Sequence, residues 1–180
     1  FPRGEEYILQ WERTELADLN KKIRSMLEGK LIAHAVSAAL SHFALTALWG
    51  SFAWGSFVLD EIAELDGPWA VALDRSKQAG RILARLLLSN KPVTLIGYSM
   101  GARVIYHCLA ELDACVPNVA GRGIVENVVL MGTPVSTDYA GWSACRRVVS
   151  GRLINCYSRK DWFLALMYRT NMYEPTVAGL

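Results

Sequence analysis

Val93-Thr94-Leu95-Ile96-Gly97-Tyr98-Ser99-Met100-Gly101-Ala102-Arg103-Val104 is the stretch that decides how the rest of this chain is read. A short apolar run ends at Gly97. An amphipathic pattern starts at Gly101 and continues to about Ala114, so the spacing predicts a buried strand turning directly into a helix. The five residues at the join form a Gly-x-Ser-x-Gly sequence. Alone, that pattern recurs by chance. Between a strand and a helix it is the context of a nucleophile elbow, in which a serine is held in a strained turn with its hydroxyl exposed. Gly97 and Gly101 flank Ser99 where a Cβ is expected to clash with the neighbouring strand and helix. Ser99 is therefore the candidate nucleophile, with an ordinary tight turn as the alternative. The Met100 N–H, at the positive end of the helix, is the candidate oxyanion donor.

Downstream, strand and helix alternate. Val125–Met131 reads as a second buried strand, Tyr139–Val149 as a weaker helix, Arg152–Tyr157 as a strand, and Asp161 to about Tyr168 as a helix. Apolar runs without alternation are what parallel strands buried on both faces look like. Upstream, Glu5–Trp11 is rich in β-formers and reads as a strand. Arg13 to Leu27 follows as a helix with Leu16, Leu19, Ile23 and Leu27 at helical spacing, and Asp66-Gly67-Pro68 is read as the start of a helix ending near Asn90. The expected fold is α/β: a parallel sheet of the α/β-hydrolase type with helices on both faces, incomplete in this chain. Residues 1–180 are taken as one partial domain, with an apolar helical insertion at 31–59 ahead of the nucleophile strand.

In such a fold the chain order is Ser, then Asp or Glu, then His, with the acid in a loop after a later strand. Asp161 fits that position, and its alternative is to cap the following helix. Asp138, after Gly132-Thr133-Pro134, is the second candidate acid, or simply a turn residue. The chain has three histidines. His34 and His42 precede the serine, and His107 lies eight residues past it on one helix, about 12 Å further along, so it is expected to point away from the hydroxyl. The base is expected from beyond Leu180, and the second oxyanion donor from before Phe1.

The composition excludes some classes. It is 52% hydrophobic, and Lys+Arg 19 against Asp+Glu 17 leave a net charge of +2. Mean hydropathy is +0.19. With no basic stripe, nucleic acid is not expected as a ligand. Cys108, Cys115, Cys145 and Cys156 lack metal or disulfide spacing and read as reduced thiols. No metal or organic cofactor is implied. The absence of an N-x-[ST] sequon favours an intracellular setting. The start at Phe1, without Met or a signal peptide, suggests that a segment upstream has been removed or left out.

Leu31 to Leu59 contains no Asp, Glu, Lys or Arg. It is longer than the roughly 20 residues a helix needs to span a bilayer and shorter than two crossings. A single crossing would also put two strands of one sheet on opposite sides of the membrane. A shallow hairpin, interfacial helix or acyl-binding lid is one reading, and a helix pair packed on the domain is the other. Trp49-Gly50-Ser51-Phe52 and Trp54-Gly55-Ser56-Phe57 form a near-repeat suited to interfacial anchoring or tight helix contacts. Arg146, Arg147, Arg152, Arg159 and Lys160 read either as an anionic-headgroup patch or as a solvated face.

Val93–Val104, Gly123–Pro134 (GIVENVVLMGTP), Val149–Trp162 (VSGRLINCYSRKDW) and Val177–Leu180, with Trp11-Glu12 and Pro68–Arg75, together resemble the family of transmembrane and coiled-coil domain-containing protein four, domain of unknown function 726. The resemblance covers nearly the whole chain. It implies a membrane-associated, lipase-like α/β-hydrolase with Ser99 and Asp161 at the nucleophile and acid positions. It further implies a Gly-rich oxyanion loop before Phe1 and a Gly-His segment after Leu180.

Two functions follow as expectations. The first is a serine hydrolase acting on a lipid ester or thioester through an acyl-Ser99 intermediate. The second is an inactive hydrolase-like protein serving as a membrane-associated scaffold or trafficking factor.

Overall fold

A computed structural model describes residues 4–40, 47–89, 91–115, 123–161, 163–165, 167–168 and 176–179. The chain divides into two compact units, Phe1–Pro68 and Trp69–Leu180.

The first unit holds helix α1 (Arg13–Leu40) and the first part of helix α2 (Ala47–Leu87). Three expectations are corrected in this region. Residues 4–12 form neither strand nor helix, and Tyr7 and Ile8 are each 82% exposed. β-propensity is expressed through cross-strand packing, and Glu5–Trp11 pairs with none of the sheet strands described below. Helix α1 does not stop near Leu27 but runs through Gly29 to Leu40. One interior glycine costs about 1 kcal/mol, which good helix formers on both sides offset. Pro68 likewise does not open a helix; it lies inside α2 and is the last residue of the first unit. The apolar run is helical over 31–40 and 47–59, while His42 falls outside the described residues. No helix among the described residues is long and apolar enough to cross a membrane.

The second unit is built on strands β1 (Val93–Tyr98), β2 (Val125–Met131) and β3 (Leu153–Cys156), all parallel and in the order β1-β2-β3. Helix α3 (Met100–Cys115) connects β1 to β2, and α4 (Tyr139–Val148) connects β2 to β3. Successive crossovers of one hand, moving one way across a sheet, put their helices on the same face. Accordingly, α3 packs against both β1 and α4. The α/β class expected from the sequence is the one observed.

Register separates the two faces of the sheet. Leu95, Val128 and Leu153 lie side by side in the core beneath Leu109, Leu112 and Cys145. Ile96, Val129 and Ile154 form the neighbouring row on the opposite face, with Ile96 57% exposed. From Trp69 onward α2 buries Trp69, Ala72, Leu73, Ser76 and Ala84 along one helical stripe. It meets α3 at Gly80, where a Cβ would stand 2.6 Å from the Val104 carbonyl oxygen.

Two of the five basic residues read as a patch have structural partners. Arg147 pairs with Asp113 at 2.5 Å, and the Arg146 guanidinium donates to the Val149 carbonyl at the end of α4. All four cysteines are free thiols, and burial pushes Cys108 and Cys145 up to about 12.

His107 sits on α3 with its ring edge-on to Tyr106, and its Nε2 is buried with no partner among the described residues. Burial first, and then the cations of Arg103, Lys77 and Arg81, lower its pKa from 6.5 to about 3. An unfolded chain therefore binds an extra proton between those two values, and the folded protein loses stability as pH falls from about 6.5 towards about 3. The denaturation midpoint of His107→Gln is expected to fall less steeply across that window than that of the unsubstituted protein. Equal slopes would exclude His107 as the group responsible.

Candidate active site

The local geometry at Ser99 follows from two backbone hydrogen bonds. Its N–H donates to the Met131 carbonyl at 2.8 Å, extending the β1–β2 ladder by one residue, and its own carbonyl accepts the Arg103 N–H at 3.1 Å as the first bond of α3. A residue that both ends a strand and begins a helix must turn sharply, and Ser99 does so at φ 51°. For a residue with a Cβ, that left-handed conformation costs about 1–3 kcal/mol and persists only where surrounding bonds enforce it.

The turn brings α3 back onto its own strand. A Cβ at position 97 would lie 2.7 Å from Ile105 Cδ1 and 2.8 Å from the Ala102 N and Cα, so only glycine fits. Gly101 is different: a Cβ there would have nothing within 4 Å. The expected clash is thus present at Gly97 and absent at Gly101, because residue 101 already lies on the outward side of the first helical turn. Arg103 makes the first helical bond, so the N–H groups of Met100, Gly101 and Ala102 precede it at the positive end of α3.

Because the sheet is parallel, the loops after β1, β2 and β3 leave from one end. Ser99 follows β1, Asp138 follows β2 and Asp161 follows β3. Both carboxylates are helix caps. Asp138 accepts the Gly141 N–H at 2.9 Å at the start of α4. Asp161 accepts the Leu164 N–H at 3.0 Å with Oδ1, ahead of the helical residues 163–165. A cap on one oxygen leaves the other oxygen's lone pairs for a further donor.

Three polar residues that the sequence reading passed over also support this end of the sheet. Arg103 is buried, donating to the Pro134 carbonyl at 2.7 Å and to the Leu73 carbonyl at 3.4 Å, and so fastens the elbow helix to the loop after β2 and to α2. Thr133 is fully buried in that same loop, and its hydroxyl faces Asn155 on β3 at 3.5 Å. The signal available in the sequence was a single arginine among the apolar residues of the first turns of α3, since such a charge is either solvated or bonded. His107 lies along α3 in a cavity of about 170 Å³ lined by Lys77, Arg81, Ala110 and Glu111. No group of three metal-ligating side chains occurs among the described residues.

The contrast between the two glycines is testable. Gly97→Ala is expected to destabilise the protein by about 1–3 kcal/mol, the range for overpacking a tight contact. Gly101→Ala is expected to change stability by less than about 1 kcal/mol, the size of the Gly-to-Ala difference in a helix. Chemical denaturation of both variants measures the difference, and equal costs would contradict the packing described.

A family model described as "Protein of unknown function (DUF726)" matches residues 1–180. The chain is 40% identical to the transmembrane and coiled-coil domain-containing protein STS1 of Oryza sativa subsp. japonica, over 98% of this chain and 27% of that protein. It is 37% identical to an uncharacterized membrane protein of Caenorhabditis elegans, over 97% of this chain and 28% of that one. It is 39% identical to the probable lipase MIL1 of Saccharomyces cerevisiae, over 92% of this chain and 15% of that protein. The chain therefore spans less than a third of the length of these relatives. No solved structure matches it. With a match along its full length and these identities, the chain belongs to the DUF726 family.

Proposed function

We propose that this chain carries the nucleophile and acid of a membrane-associated serine hydrolase of the α/β-hydrolase type that acts on a lipid ester or thioester. The observation that carries the reading is Ser99 itself, a non-glycine residue at φ 51° between a parallel strand and the helix after it. Strain of this kind clusters at active sites. Residues 1–180 act in this reading as one partial domain, with 31–59 as an apolar helical insertion suited to lipid contact. The name of the yeast relative, a probable lipase, supports a lipid substrate. The names of the rice and nematode relatives support attachment to a membrane.

In the proposed reaction the Ser99 hydroxyl attacks the acyl carbon while a histidine base takes its proton. The carbonyl oxygen gathers negative charge facing the Met100 N–H, and the alkoxide or thiolate leaves with that proton. Water then attacks acyl-Ser99, returning the serine and releasing the fatty acid. Asp161 orients the base, with Asp138 as the second candidate. Gly97 sets the elbow and Gly101 follows it. In this reading His107 is not the base: it lies eight residues past Ser99, about 12 Å further along α3, and burial lowers its pKa to about 3, leaving it a weak proton acceptor.

A second reading rests on the relatives named only as membrane proteins: a hydrolase-like fold retained as a membrane scaffold. Labelling separates the two. Full-length protein is expected to react with a fluorophosphonate probe, and Ser99→Ala to abolish the reaction with the fold intact. The 180-residue chain alone is expected to react weakly, since losing one oxyanion donor alone costs about 10²- to 10³-fold. Full-length protein that neither labels nor cleaves short or long acyl esters, yet still binds vesicles, would establish the scaffold.

A further inference from the structure

Two loops leave the same end of the sheet as Ser99, one after β2 and one after β3, and residues 176–179 cross between them. On the β2 side, Ala178 donates its N–H to the Val135 carbonyl at 2.9 Å, Val177 pairs antiparallel with Ser136, and the Thr176 and Thr137 hydroxyls meet at 2.7 Å. On the β3 side, the Gly179 carbonyl accepts the Ser158 N–H at 3.2 Å. Gly179 is wedged at the crossing, where a Cβ would be 2.5 Å from both the Thr133 nitrogen and Leu164 Cδ2.

One side chain from the sheet reaches this crossing. Asn155 on β3 donates from Nδ2 to the Ala178 carbonyl at 2.7 Å, while its Oδ1 faces the buried Thr133 hydroxyl at 3.5 Å. Asparagine is a poor strand former, and its amide is costly to bury unless both ends are bonded. Here its donor end meets the crossing segment and its acceptor end meets the β2 loop, a pairing that an aliphatic side chain of similar size cannot make.

The two tied loops hold the parts of the candidate site. Met131, whose carbonyl seats the Ser99 N–H, immediately precedes Gly132, which donates its own N–H to the Cys156 carbonyl at 3.0 Å. Ser158 is three residues before Asp161 and accepts that residue's N–H at 3.1 Å. We propose that Asn155 is a positioning residue for this site: by holding the Ala178 carbonyl it makes residues 176–179 a cross-tie that sets the spacing between Ser99 and Asp161. The inference rests on the hydrolase reading above.

The test uses full-length protein, a fluorophosphonate probe and amide hydrogen exchange. Asn155→Leu is expected to keep the fold but to slow Ser99 labelling by about 10²-fold at every pH, the order of loss for a misplacement near 1 Å. Asn155→Asp is expected to be equally slow near neutral pH, where a carboxylate cannot donate to a carbonyl. Its rate relative to the unsubstituted protein at the same pH should recover as the pH falls towards about 4, where the carboxyl is protonated and donates again. A purely stabilising role would give no such pH-dependent recovery. Exchange should accelerate about tenfold at the Ser158 and Ala178 amides in Asn155→Leu, with β1 and β2 unchanged.

Unchanged exchange at Ser158 and Ala178 overturns the tie, and full labelling of a folded Asn155→Leu overturns its positioning role. Unsubstituted protein that never labels overturns the hydrolase reading, and the role of Asn155 with it, even where exchange responds as expected. Should Asn155→Leu fail to fold, Asn155→Asp decides alone, and a deficit that does not recover at low pH overturns the proposal.

Discussion

How closely α3 can approach its own strand governs the rest of the second unit. At Gly97 the helix backbone comes so near β1 that no side chain fits between them, and this contact determines where the helix axis lies over the sheet. With α3 in place, Leu109 and Leu112 reach the row of Leu95, Val128 and Leu153, and α4 has a surface to pack on. The same closeness compresses the connection to a single residue. Ser99 must then be both the last member of the ladder and the first acceptor of the helix, and its left-handed backbone is the geometric result. The strain at Ser99 and the density of the core beneath it are thus two effects of one approach.

Polar groups at the carboxyl end of the sheet are organised as connectors. Arg103, Thr133 and Asn155 each join segments far apart in sequence, and each bonds to a backbone carbonyl or to another of the three. Loops that leave a parallel sheet have lost the ladder that satisfied their carbonyls, so a buried side-chain donor stabilises both the loop and itself. The ion pairs on the outside are of another kind. Arg24–Glu28 joins two exposed side chains in high dielectric and contributes little to stability, whereas Arg147 bonds both oxygens of a half-buried Asp113.

Much of the fold was legible because its local signals agree with its tertiary role. Val93–Gly97 and Val125–Met131 are short apolar runs that pair as parallel strands, with Val125, Val128 and Leu130 buried and Ile96 57% exposed on the other face, and the turn between strand and helix is marked by its glycine. Where the sequence misled, a local preference was outvoted. Glu5–Trp11 has the residues of a strand without a strand of the sheet to pair with. Gly29 and Pro68 are helix breakers in isolation, yet each interrupts one position among many that favour helix. Gly101 looks equivalent to Gly97 in the motif, but which side of a helical turn faces a neighbour is settled only by packing. Asn155 was invisible for a related reason: a single amide in a strand carries no periodic signal, and its partners lie more than twenty residues away on either side.

The order of the strands has a kinetic side. Each strand pairs with the one preceding it, so the sheet can be assembled in the direction of synthesis, with β1, α3 and β2 closing before β3 has emerged. The Met131 carbonyl that seats Ser99 arrives with β2, and the serine turn can therefore form in a nascent chain whose Asp161 loop has not yet been made. In that interval β2 is an edge strand, and its outer row of N–H and C=O groups stays unpaired until β3 docks. The short crossover through α4 keeps that interval brief.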